Sequence, residues 1–157
     1  MDLRRRKVTL EDEPFLLRLY ISTREEEVAA WGWAPQQIET FMRLQFTAQS
    51  RSYAATYRGA DHFLLMLDGE PVGRMIIARS ECVICLVDIS LLPEHRCKGI
   101  GSILLRELQE ECKSSSGSIQ LRVLRNNPAI HLYARSGFRR TGGNGLYEEM
   151  EWNSSGD

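Results

Sequence analysis

The chain is poor in the features that most directly announce a function. No apolar run approaches the length needed to cross a bilayer, and the basic stretch Leu3-Arg4-Arg5-Arg6-Lys7-Val8 is too short and too polar for a secretory leader. There is no charge excess. Lys and Arg total 20 against 21 Asp and Glu, a formal net charge of −1, so no whole-molecule field draws in nucleic acid or an anionic membrane. Only 4 cysteines occur, at positions 82, 85, 97 and 112, and without a leader a disulfide framework is not expected. Cys82 and Cys85 have CxxC spacing but lie in an apolar run with no second pair of Cys or His to complete a site. Within a strand that spacing puts them on opposite faces, so they read as buried small hydrophobes, and no metal is expected. There are no repeats and no low-complexity stretch. The expectation is a reduced, cytoplasmic protein with no nucleic-acid or membrane partner.

What is present suits one ordinary domain. A chain of 157 residues with 43% hydrophobic and 26% charged residues buries roughly two thirds of its unfolded surface, enough for a core without metal or disulfide. The expected domain is 1–152, with a disordered tail at 153–157. Leu3 to Val8 reads as a strand. Thr9 to Pro14 reads as a helix start, with a cap, acids and an early proline, leading to a helix ending near Glu27. Pro35 restarts a helix of about two turns through Ile38, Phe41, Met42 and Leu44. From Phe63 the period changes. Phe63–Leu67, a turn at Asp68-Gly69, Val72–Ala78 and Val83–Leu91 read as three antiparallel strands. A helix from Gly101 to Cys112, a Ser/Gly linker, a strand Ile119–Leu124, a helix opened by Asn127-Pro128 and a closing hairpin (Phe138–Gly142, Leu146–Trp152) complete an α+β, or mixed α/β, sheet.

The sharpest local feature lies between an apolar strand and an amphipathic helix: Leu91-Leu92-Pro93-Glu94-His95-Arg96-Cys97-Lys98-Gly99-Ile100-Gly101-Ser102. Gly99 and Gly101 leave backbone N–H groups unobstructed, and the helix start adds unpaired donors at the positive end of its dipole. Arg96 and Lys98 bring cations to the same turn, which suits a diphosphate. The Gly-x-Gly-x-x-Gly of a dinucleotide fold and the Gly-Lys-Ser/Thr of a P-loop are both absent.

Arg96-x-x-Gly99-x-Gly101, after a strand ending in Leu91-x-Pro93, resembles the coenzyme A signature of GNAT acetyltransferases. Asn127-Pro128-Ala129-Ile130-His131-Leu132-Tyr133 with Gly137-Phe138 is similar to that family's recurring Asn…Ala…Leu-Tyr…Gly-Phe segment. The resemblance covers about 90 to 140, and the order of elements outside it agrees. It implies a central twisted, mostly antiparallel sheet of about seven strands, with two N-terminal helices and two helices flanking splayed central strands. It further implies acetyl-coenzyme A as co-substrate. Backbone groups of Ser90, Leu91 and Leu92 would pair with the pantetheine arm like a missing strand. Arg96, Cys97, Lys98, Gly99, Ile100, Gly101 and Ser102 would hold the pyrophosphate, while Asn127 and Ala129, with Tyr133, would contact the arm. Cys97 departs from the family, which often has glycine there.

Transfer of acetyl to an amine requires a deprotonated amine, a polarised carbonyl and a protonated leaving thiol. Asp88, an acid in an otherwise apolar strand, reads either as the base or as a structural partner of an arginine; Glu25 and Glu27 are rivals. Tyr133, at the position of the family's recurrent tyrosine, reads as the acid returning a proton to sulfur or as a packed core tyrosine. By resemblance, a backbone N–H near Leu91 would stabilise the oxyanion. His131 is expected to face solvent. The acceptor would be a primary amine of a small molecule, peptide or protein. Trp31, Trp33, Phe41, Tyr53, Tyr57, Tyr147 and Glu148-Glu149-Met150-Glu151 are candidates to receive it, or ordinary core aromatics and a solvated strand face. A homodimer is the assembly to test, and a non-catalytic acyl-coenzyme A sensor is the alternative function.

Overall fold

The computed structural model describes residues 1–115 and 117–155. The basic N-terminal run is a strand, Leu3–Lys7 (β1), paired antiparallel with Asp61–Leu67 (β2). Its cations are used within the fold: Lys7 bonds Asp61 at 2.6 Å, Arg6 bonds Asp12 at 2.8 Å, and Arg4 bonds Asp2 at 3.0 Å.

The expected first helix breaks in two, Glu13–Ser22 (α1) and Glu25–Ala29 (α2). Ser22 Oγ donates to Leu19 O at 2.6 Å and Thr23 Oγ1 to Tyr20 O at 2.7 Å. Two hydroxyls competing for the last carbonyls end the helix where apolar spacing alone would continue it. The helix at Pro35 is far longer than two turns. It runs Pro35–Thr56 (α3), because Ala48, Ala54, Ala55 and the Gln and Arg residues are good helix formers and no breaker precedes Gly59.

Two compact units result, Met1–Met75 with Ser90–Arg96, and Ile76–Ile89 with Cys97–Asp157. In the first, Leu16, Leu17, Phe46 and Leu64 form a core against which Val8, Phe15, Tyr20, Ile21 and Met66 pack. In the second, Ile100–Lys113 (α4) buries Ile100, Leu104, Leu105, Leu108 and Cys112, one stripe at helical spacing. Ser118–Leu124 (β5) alternates buried Ile119, Leu121 and Val123 with exposed Gln120, Arg122 and Leu124. Ala129–Arg135 (α5), Arg139–Gly143 (β6) and Tyr147–Asn153 (β7) follow. β5 and β6 each pair antiparallel with β7.

Glu70–Ser80 (β3) and Val83–Leu91 (β4) supply residues to both units. The seven strands run in the order β1-β2-β3-β4-β5-β7-β6, a mixed α+β, mostly antiparallel sheet in which β4 and β5 are the parallel pair. Cys82 is exposed, contrary to expectation. It sits in the turn between β3 and β4, where its carbonyl accepts the Ser118 N–H at 2.8 Å. β7 runs one residue past Trp152, and the Ser154 N–H donates to Gly117 O at 3.1 Å. Of the tail expected at 153–157, Gly156 and Asp157 lie outside the described residues. No helix among the described residues is long and apolar enough to cross a membrane.

Candidate active site

The loop from β4 to α4 reaches the helix through two left-handed residues, Cys97 at φ 59° and Gly99 at φ 85°. Gly99 is the N-cap, and no side chain caps the helix. The first amide to find a helical acceptor is Ile103, which donates to Gly99 O at 3.1 Å. The N–H groups of Ile100, Gly101 and Ser102 therefore leave the helix end without intrahelical partners, in the field of its dipole. This is the donor set that an anionic oxygen cluster fits. Lys98 and Cys97 are exposed beside it.

Gly101 has a second role. A Cβ at this position would lie 2.7 Å from Leu132 Cδ2, so its bareness also lets α5 approach. The two sequence motifs thus touch in space. Gln109 Nε2, which donates to Ser136 O at 2.8 Å, ties the same two helices further along.

β4 and β5 stay together only at their start. The parallel register runs from Val83 opposite Ser118 to Leu86 opposite Leu121 and stops, although β4 continues to Leu91 and β5 to Leu124. Beyond the last pair the strands have separated. Asp88 stands on the stretch of β4 beyond its last pair with β5, half-buried. Tyr133 is buried on α5, its ring 5.8 Å from that of Phe138. Burial pushes the Tyr133 hydroxyl above its ordinary pKa, and the Asp88 charge pushes it further. The two candidate acid–base residues are therefore near enough to sense each other. No group among the described residues hydrogen-bonds the Tyr133 hydroxyl.

Other expected residues are already engaged. Arg96 Nε donates to Leu91 O at 2.9 Å, and Nη2 more loosely to Ser22 O at 3.5 Å, so this guanidinium braces the strand end. The Leu92 N–H donates to Val72 O at 2.9 Å. Ser90 O faces Gly73 so closely that a Cβ there would meet it at 2.2 Å. Asn127 Oδ1 accepts the Ala129 N–H at 2.9 Å, a side-chain turn that leads into α5. His131 is exposed. No group of His, Cys, Asp and Glu among the described residues could hold a metal ion.

The sequence matches the Acetyltransferase (GNAT) family over residues 18–138. The chain belongs to that family. Among GNAT structures it resembles the PaiA N-acetyltransferase of Thermoplasma acidophilum, solved in complex with coenzyme A, with TM-score 0.72 and 21% identity over 98% of this chain and 99% of that one. Nourseothricin acetyltransferase aligns with TM-score 0.52 and 26% identity, covering 62% of this chain and 66% of that one. Streptothricin acetyltransferase of Streptomyces lavendulae is 43% identical over 53 residues, 32% of this chain and 28% of that protein. The match therefore spans under a third of that relative's length.

Within the first unit of this GNAT chain, the aromatics expected to receive an acceptor fall into two groups. Trp31, Trp33 and Phe41 cluster with centroids 4.9, 5.4 and 5.5 Å apart. Tyr53 and Tyr57 meet edge to face at the far end of α3, with Tyr53 roughly 18 Å from Phe41 at helical rise. Glu27 is held by Arg24 at 2.9 Å, which lowers its pKa and makes it a poor base. Tyr147 lies under Arg122, 4.0 Å from ring to guanidinium, and Glu151 accepts from Gln120 and Asn153, each at 2.9 Å.

A feature not anticipated from sequence is the pair of arginines on Glu148. The buried Glu148 carboxylate accepts Arg125 Nε at 3.0 Å and Arg140 Nε through the other oxygen. Alternation with Met150 and Trp152 was the available signal that this acid points inward.

Proposed function

We propose that the chain is an acetyl-coenzyme A-dependent N-acetyltransferase that moves the acetyl group directly to a primary amine in a ternary complex, with residues 1–152 acting as one catalytic domain. The observation that carries this reading is the uncapped start of α4, in the unit where Asp88 and Tyr133 are also electrostatically coupled. It draws support from family membership and from coenzyme A in the Thermoplasma relative. The amides of Ile100 to Ser102, with Lys98, hold the pyrophosphate, and the separated stretches of β4 and β5 flank the pantetheine arm.

Asp88 takes a proton from the incoming ammonium, directly or through a water, since an amine with pKa near ~10.4 is otherwise protonated at neutral pH. Tyr133 keeps its proton until sulfur departs and then donates it to the thiolate. The coupling orders these steps. While Asp88 is charged it disfavours a tyrosinate; once it has accepted the amine proton that repulsion is gone, and Tyr133 releases its own proton more readily.

Tyr133→Phe and Asp88→Asn are each expected to lower kcat by about 100-fold, within the range of a lost acid or base, while calorimetric affinity for acetyl-coenzyme A stays unchanged. Thiol release across an amine library is the readout. Coenzyme binding without thiol release from any amine would instead mark a non-catalytic acyl-coenzyme A sensor.

A further inference from the structure

Glu148 holds two arginines where one would neutralise it. Arg125 and Arg140 remain about half exposed, 52% and 59%, while the Glu148 side chain is at 9%. Both reach the carboxylate through Nε, which leaves the terminal NH2 groups of both forks without a partner among the described residues. Two guanidinium charges against one carboxylate leave one positive charge over. A buried acid fixing the inner edge of two arginines, with their outer donors turned away, is a preorganised oxyanion receptor.

The register places this receptor relative to the chemistry. Leu86, Leu121 and Met150 form one row across β4, β5 and β7, and all three are buried. Two residues on, each strand returns to the same face, so the next row consists of Asp88, Val123 and Glu148, with Val123 opposite Glu148. Arg140 pairs with Met150 on the neighbouring strand. The proposed base and Glu148, the acid that holds both arginines, thus occupy one row of one face, two strand spacings apart, roughly 10 Å, with the separation of β4 from β5 added.

We infer that Arg125 and Arg140 bind an anionic group of the acceptor, so that the acceptor is a molecule with a primary amine at one end and a carboxylate or phosphate at the other. This rests on the transfer reading above, with Asp88 at the amine. The 3′-phosphate and pyrophosphate of the coenzyme are the competing source of the same chemistry.

The test uses straight-chain ω-amino acids of graded length, each paired with its neutral carboxamide. In the unaltered protein the acid of the best length is expected to show a KM about tenfold below its amide, the effect of one charge-assisted hydrogen bond. Arg140→Lys, which retains a charge for Glu148, should erase most of that advantage without moving KM for acetyl-coenzyme A. The double variant Arg140→Gln/Glu148→Gln, which leaves no unpaired buried charge, should do the same. Equal KM for acids and amides would overturn the inference, as would a rise in KM for acetyl-coenzyme A in the variants. If no amine releases thiol, the transfer reading fails and melting temperature decides the receptor. A rise with the acids alone, lost in the double variant, supports it, and no difference between acids and amides overturns it.

Discussion

At Cys97 the backbone is left-handed, φ 59°, a conformation that crowds the Cβ of any L-residue at a cost of roughly 1–2 kcal/mol. Sequence comparison with the family raised this position because glycine is usual there, yet the strain itself becomes visible only as a dihedral angle. Cys97→Gly relieves it and gives back part of the gain as unfolded-chain entropy. The expected net effect is a stabilisation of about 1 kcal/mol, read as a higher urea midpoint with unchanged slope; a lower midpoint would show that the side chain is preferred there. Asp88 and Tyr133 illustrate the opposite case. Both could be picked as candidates from sequence, the first because an acid interrupts an apolar strand and the second because its motif spacing is short-range. Their proximity was not legible, since it depends on where α5 lies against β4.

At the level of elements, the close approach of β3 to the end of β4 depends on one missing side chain. A Cβ on Gly73 would stand 2.2 Å from Ser90 O and 2.8 Å from Leu91 Cδ2. The first of these neighbours is backbone and cannot rotate away. Gly73→Ala is therefore expected to destabilise the protein by about 3 kcal/mol, the upper end of overpacking costs, and to displace Ser90 and Leu91 as well. Chemical denaturation together with acetyl-coenzyme A titration checks both, and a variant with unchanged midpoint and affinity would refute the contact. The strands themselves were readable within a residue or two, because apolar runs bounded by Asp-Gly, Glu-Cys and Gly-Gly turns leave little choice. The helices before the sheet were not. Their breaks depend on Ser22 and Thr23 hydroxyls bonding backward, which competes with helix propensity without changing apolar spacing. The halt of β4–β5 pairing after Leu86 likewise leaves no trace in either strand's pattern and was anticipated only through family resemblance.

For the whole molecule, charge balance conceals strong local pairing. Asp12 accepts from Arg6 and from the Thr9 N–H, and these bonds hold its carboxyl down to about 2. A carboxylate with pKa lowered on folding contributes stability that is complete above its unfolded value near ~3.9 and is lost as pH falls towards the folded one. Asp12→Asn is accordingly expected to lower stability at pH 7 by about 1–3 kcal/mol, with the gap to the unaltered protein narrowing between pH 4 and 2. Urea midpoints at pH 7 and pH 3 measure this, and a gap constant over that range would exclude the mechanism. The basic run at Leu3–Lys7 is occupied in the same way, with Arg4 and Lys7 also paired to acids. The Glu148 cluster stayed hidden for a related reason. Its members come from β7, β6 and the residue after β5, and they meet only once register is fixed.

The contact of Gly101 with Leu132 joins the uncapped start of α4 to the helix bearing Tyr133. Over generations of mutation, the two segments cannot drift independently. A methyl group gained at 101 can be accommodated only beside a shorter or displaced side chain at 132, and such a change in α5 also shifts the seat of its neighbour Tyr133. The two roles proposed for these segments, donor binding and proton transfer, are thereby inherited together through a single van der Waals contact.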